Sequence, residues 1–225
     1  MGENMGNFYK RALLAVLSIV AMVASSLVIT APAEALPALK FLTILKSLPT
    51  DNSFHGGYVR SKFKLWVDAD GNGCNTRAEV LMAESRAATT HSSTCTIRTG
   101  SWISAYDGVR ETTASKLDID HMVPLAEAWR SGAYKWTAAK RQAYANDLGY
   151  AYSLIAVSAS SNRQKSDSDP AGWLPSVVAY RCTYAASWVA IKYRWRLSVD
   201  SAERAALALI LRGCKNTPVT LPSLA

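Results

Sequence analysis

The stretch Leu117-Asp118-Ile119-Asp120-His121-Met122-Val123-Pro124 limits what this chain can fold into more than any other. Apolar residues alternate with carboxylates, which is the period of a half-buried strand, so we expect a strand over Lys116–Val123 that Pro124 ends. Neighbours on a strand point to opposite faces, but at a strand end or bulge Asp120 and His121 can reach one cavity. A second apolar and aromatic run of strand length, Tyr150–Val157, is followed by Ser158 to Ser161, where a short helix can begin. That helix would carry Ser161-Asn162-Arg163-Gln164-Lys165-Ser166-Asp167. Strand, strand and helix together give a ββα arrangement with polar groups at its centre.

The chemistry follows from the residue types. Phosphodiester hydrolysis needs a base to activate water and a cation to stabilise charge on the phosphate and the leaving oxygen. An imidazole can act as the base near neutral pH, and a carboxylate beside it can hold a divalent cation. Asn162 adds a neutral oxygen ligand, and Arg163 and Lys165 add charges for a phosphate backbone. Each has a plainer reading: Asn162 as a helix cap, Arg163 and Lys165 as a solvated face, Asp120-His121 as a surface acid beside a satisfied histidine.

Lys10-Arg11, the apolar run Ala12–Ile29 and Ala33-Glu34-Ala35 form the basic, apolar and A-x-A segments of a secretory leader. We expect residues 1–35 to be removed, ahead of the reading of the run as a membrane anchor. Residues 36–225 then suit one domain, with the motif core at about 115–170. The charges in the leader cancel, so the mature chain keeps the formal +8 of the whole sequence. Such an excess favours polyanionic partners without choosing among them. No stable membrane association is expected after cleavage, and a monomer is expected.

Cys74, Cys95, Cys182 and Cys214 are an even set in an exported chain, which suggests disulfides. Three pairings exist. Shorter loops favour Cys74–Cys95 and Cys182–Cys214. No C-x-x-C pair supports a four-cysteine zinc site, and three histidines leave little room for a His-rich one.

Elsewhere the pattern predicts helices over 36–48, 58–67, 76–88, 125–130, 137–146, 176–196 and from Ser201 through Leu211. Short strands are expected at Thr94–Arg98 and Trp102–Ile103 around a Gly100 turn. The fold class is therefore α+β, mostly helical, around a small ββα-metal core. Asp68-Ala69-Asp70-Gly71-Asn72-Gly73 partly matches a Ca²⁺ loop, with Gly73 at the sixth place and Glu79 at the twelfth. Cys74 stands at the seventh. We read it first as an Asx-rich structural loop and second as a Ca²⁺ site.

Leu117 to Trp129 resembles the first motif of HNH endonucleases. It is closest to secreted HNH proteins related to the C-terminal nuclease domain of GmrSD-type restriction enzymes. Asn162 to Asp167 is similar to the closing motif of the HNH domain in RNA-guided CRISPR nucleases. Trp66, Asp68, Asp70, Gly71, Cys74 and Arg77, and the run Pro170-Ala171-Gly172-Trp173-Leu174-Pro175, fit the secreted group, so the resemblance runs from about Tyr58 to Cys214. It implies a phosphodiester hydrolase in which His121 is the general base. Asp120 and Asn162 would ligate one divalent cation, Mg²⁺ first and Mn²⁺ second.

In the HNH pattern a middle Asn on the second strand orients the base. Spacing back from Asn162 puts Ser153 there, so Ser153 or a backbone carbonyl is expected to orient the base, with Asn146 as the alternative. Asp118, Asp167 and Asp169 are expected to orient Lys165 or to cap. The substrate would be nucleic acid, DNA ahead of RNA, bound mainly through phosphates because no base-reading module is evident. The competing class is a secreted, non-catalytic polyanion- or cell-surface-binding protein on the same fold, which would not need Asp120, His121 and Asn162.

Overall fold

The computed structural model describes residues 37–225. The leader expected over residues 1–35 lies outside the described residues. The first element, α1 (Ala38–Ser47), buries Ala38, Phe41, Ile44 and Leu45, a spacing that lines one face of a helix. It packs on α6 (Arg181–Trp195) and α7 (Ser201–Arg212). α6 is buried almost all round, with Tyr184, Trp188 and Ile191 inside. A Cys182–Cys214 disulfide ties its start to the end of α7. α7 opens with a capping box in which Asp200 takes the Glu203 amide and Glu203 returns to the Asp200 amide. No helix among the described residues is long and apolar enough to cross a membrane.

The motif core stands against this helical layer. β4 (Leu117–His121) pairs antiparallel with β5 (Leu154–Ser158), His121 opposite Leu154 and Asp120 opposite Ile155. α5 (Ala159–Lys165) follows β5 directly, its first turn capped by Ser158, whose hydroxyl accepts from the Ser161 amide. Between the strands lie α3 (Leu125–Arg130) and α4 (Ala138–Ala145). Leu117, Ile119, Leu154 and Ala156 share one face of the ribbon and pack with Ala78 and Leu81 of α2 (Thr76–Glu84). Asp118 and Asp120 share the other face, which α5 covers through Asn162 and Lys165. The alternation read in the sequence thus separates an apolar face from a chemical one.

A second sheet joins β1 (Thr90–His91), β2 (Ile97–Ile103) and β3 (Arg110–Thr113), all antiparallel. Here the structure corrects the sequence reading. β2 is one strand through Gly100 rather than two around a turn. A Cβ at Gly100 would lie 2.4 Å from the Trp102 ring and 2.6 Å from Ser85 Oγ, so this glycine permits close packing and marks no turn. The Cys74–Cys95 disulfide anchors the approach to this sheet to the start of α2.

Two further expectations shift. Residues 58–67 form only a short 3₁₀ turn, Arg60–Lys62, not a helix. Side chains from elsewhere take the backbone groups a helix would use: Trp129 Nε1 donates to Gly56 O at 2.9 Å, Arg141 Nε to Lys62 O at 3.1 Å and Asn146 Nδ2 to Lys64 O at 2.7 Å. Phe63 is buried between them, edge-on to Trp129 and Tyr144. β5 starts at Leu154, not Tyr150, because Tyr150 turns away and donates its hydroxyl to Thr220 O.

Candidate active site

His121 ends β4 and is 6% exposed. Its Nε2 lies 3.0 Å from the carbonyl oxygen of Ala145, the last residue of α4. A carbonyl only accepts, so Nε2 carries the proton of the neutral ring and Nδ1 keeps its lone pair. Burial pushes the imidazole pKa down to about 4, and the nearby charges of Arg60 and Lys165 work in the same direction against the Ala145 bond. The ring is therefore neutral at physiological pH, the form a general base requires. Trp66 and Tyr144 lie near-parallel to its ring, at centroid distances of 5.9 and 6.4 Å.

Asp120 is held differently. Lys165 Nζ reaches its two carboxylate oxygens at 3.0 and 2.8 Å and also donates to His121 O at 3.0 Å. Tyr106 donates to Asp120 Oδ2 at 2.5 Å. Lys165 is 0% exposed and lies among Tyr106 and Trp188. Burial raises the Asp120 pKa and lowers that of Lys165, and the contact between the two charges opposes both effects. Lys165 is thus not the surface cation that the sequence suggested. Its ammonium cannot reach a phosphate backbone without abandoning a buried carboxylate, which is a large cost.

Asn162, nearly one turn earlier on the same helix, donates Nδ2 to Asp118 Oδ2 at 3.1 Å. Fixing the amide this way leaves its carbonyl oxygen as the group available to a ligand. Arg163 is exposed and 3.8 Å from the same Asp118 oxygen. A cavity of about 300 Å³ is lined by Asp120, His121, Asn162, Arg163, Asp167 and Arg60 among others. A larger groove of about 680 Å³ along α4 and the end of α6 holds none of the motif residues apart from the neighbourhood of Asn146.

The donor set fits a hard divalent cation in kind: one carboxylate and one amide oxygen beside the same cavity, with water completing the shell. Asp120 Oδ1 accepts only from Lys165, so it keeps acceptor capacity. Among the described residues no group of three or more His, Cys, Asp or Glu side chains is arranged to hold a metal ion.

The sequence expectation for Ser153 is corrected. Its hydroxyl donates to Asp147 Oδ2 at 2.8 Å, in a network where Arg194 grips both oxygens of Asp147. Asn146 does not reach His121 either, because its amide accepts from Val67 N and Thr76 Oγ1 and donates to Lys64 O and Gln142 O. The group that meets the His121 ring is the backbone carbonyl of Ala145, the carbonyl option of the sequence reading, and residue identities do not say which carbonyl it is. Arg60 also escaped the sequence reading, since a lone arginine in a polar segment carries no signal. In the Asp68–Glu79 loop, Asp68 accepts from the amides of Gly71, Asn72 and Gly73, and Asn72 Nδ2 bridges Asp70 and Glu79. The loop is closed by its own hydrogen bonds.

Comparison with known proteins agrees with this geometry. The family model of the C-terminal domain of GmrSD restriction endonucleases matches residues 77–210, which span β4, β5 and α5. An "Uncharacterized secreted protein" of Arthroderma benhamiae is 41% identical over 211 residues, 91% of this chain and 100% of that protein. No solved structure gives a significant match. The chain belongs to the family of GmrSD restriction endonuclease C-terminal domains.

Proposed function

We propose that this chain is an exported, metal-dependent endonuclease that hydrolyses phosphodiester bonds of DNA, with RNA as a second substrate. The observation that carries the reading is the His121–Ala145 contact, which leaves Nδ1 unprotonated on a ring that lines one cavity with Asp120 and Asn162. Export is supported by the two disulfides, by the leader pattern over residues 1–35 and by the secreted relative.

His121 Nδ1 accepts a proton from the attacking water as its oxygen bonds to phosphorus and the bond to the leaving sugar oxygen breaks. Nε2–H to Ala145 O holds the ring in that tautomer throughout. Asp120 and Asn162 would hold Mg²⁺, or Mn²⁺, which supplies charge stabilisation at the phosphate and the leaving oxygen. Lys165 and Tyr106 fix the Asp120 carboxylate, and Asp118 fixes the Asn162 amide. Arg163, exposed at the rim, contacts flanking phosphates.

The test is incubation of the mature protein with plasmid and with RNA in Mg²⁺, Mn²⁺ or EDTA. Nicking that needs the cation and is lost in His121→Ala is expected. Cutting that survives unchanged in EDTA or in His121→Ala would rule the mechanism out.

A further inference from the structure

We infer that Arg60 is a catalytic residue that binds the scissile phosphate in the cavity it shares with Asp120, His121 and Asn162. This rests on the nuclease reading above. Arg60 lies outside the matched family segment of residues 77–210, on a stretch whose only regular element is the 3₁₀ turn Arg60–Lys62.

Three observations carry it. First, Arg60 lines the same cavity as Asp120, His121, Asn162 and Arg163, although it comes from a segment some sixty positions before His121 in the chain. Second, the segment is pinned on both sides of Arg60. Gly56 O and Lys62 O accept from Trp129 and Arg141, and Phe63 is buried in the aromatic cluster immediately after the turn. Trp129 belongs to α3, which follows β4 directly, so Arg60 is mounted on the same frame as the catalytic strand. Third, the guanidinium is exposed and pairs with no carboxylate among the described residues. The other cations near the motifs have an anionic neighbour: Lys165 has Asp120, Arg163 has Asp118 and Arg130 has Glu127.

A guanidinium without an ion-pair partner at the wall of a cavity of about 300 Å³ is suited to a phosphate. Its planar fork meets two phosphate oxygens at once. In the hydrolysis, negative charge grows on the non-bridging oxygens as the water oxygen bonds to phosphorus. A guanidinium mounted on a pinned backbone at the same cavity can meet that growing charge, which stabilises the transition state more than the ground state. Arg163, at 78% side-chain exposure and drawn towards Asp118, is placed for a neighbouring phosphate instead.

The experiment measures single-turnover cleavage of supercoiled plasmid in Mg²⁺ over a range of protein concentration, for the full mature chain. Arg60→Ala should lower the saturated rate by about 10²-fold. Arg60→Lys should recover part of it, since it restores the charge without the fork. Arg212→Ala, exposed in the last turn of α7 and outside the cavity lining, should leave the saturated rate within about twofold. Thermal melting of Arg60→Ala should match the wild type, because Arg60 is exposed and its polar side-chain contact is with the half-buried Tyr58 hydroxyl. A saturated rate unchanged in Arg60→Ala, or a loss confined to affinity, overturns the assignment while leaving the nuclease reading standing. A wild type that binds plasmid without cutting it in any cation removes both together. If Arg60→Ala melts early, Arg60→Gln decides, and a wild-type saturated rate there overturns the proposal.

Discussion

His121 Nε2 stands 3.0 Å from Ala145 O, and Ser153 Oγ stands 2.8 Å from Asp147 Oδ2. The His121 ring is thus held by the end of α4, while Ser153 braces a buried Asp147–Arg194 pair. Ser153→Ala should leave metal-dependent cleavage within about twofold of wild type. It should cost about 1 kcal/mol of stability, the usual value for a lost buried hydrogen bond. Cleavage kinetics and urea denaturation on the same preparation check both halves. A rate loss of 10²-fold with unchanged stability would return the orienting role to Ser153.

The strand, the helix and the meeting of Asp120, His121 and Asn162 at one cavity were legible because each rests on local patterning. Leu117 and Ile119 alternate with Asp118 and Asp120, and Pro124 stops the run, so β4 could be placed to within a residue or two. What stayed hidden depends on tertiary contacts. Whether Lys165 faces water or Asp120 turns on Tyr106 and Trp188, which come from distant segments. Arg60 joins the cavity only because Trp129 and Arg141 hold its segment out of a helix. The continuity of β2 through Gly100 depends on the Trp102 ring lying against that glycine. Neither periodicity nor propensity records such partners.

Lys165 gives a prediction opposite to that for a phosphate contact. Removing its ammonium in Lys165→Ala leaves Asp120 charged and buried without its partner, a loss of roughly 3–5 kcal/mol. Lys165→Met combined with Asp120→Asn removes both charges and should recover much of the stability but none of the cleavage. Chemical denaturation and cleavage assays of the wild type and the two variants measure this. A Lys165→Ala protein of wild-type stability but weaker plasmid binding would place Lys165 back on the nucleic-acid surface.

Asp118 acts through Asn162. With Asp118→Ala the Asn162 amide loses the acceptor that fixes its orientation. The half-saturating Mg²⁺ concentration for cleavage should then rise by about 10–100-fold, the usual effect of removing a group that orients a metal ligand. The fold should be little disturbed, because Asp118 is partly exposed. Cleavage rates across a Mg²⁺ titration decide it, and an unchanged half-saturation point would mean that Asn162 needs no such support.

Glu84 makes stability depend on pH at a distance from the cavity. Its carboxylate accepts from the Ala156 amide of β5 at 3.0 Å, and burial pushes its pKa from 4.5 up to about 7. Between those values the folded chain holds a proton that the unfolded chain has released. The native state therefore binds more protons, and stability falls as pH rises through that window. The gap corresponds to at most about 3 kcal/mol, fully present as a penalty by pH 8. Glu84→Gln keeps an acceptor for the Ala156 amide and cannot ionise. It should match the wild type near pH 4 and exceed its stability at pH 8 by up to that amount, as read from urea midpoints at the two pH values. Parallel pH profiles for the two proteins would show that Glu84 is ionised and adequately solvated in the native state, with the Ala156 contact then acting as an ordinary charged hydrogen bond.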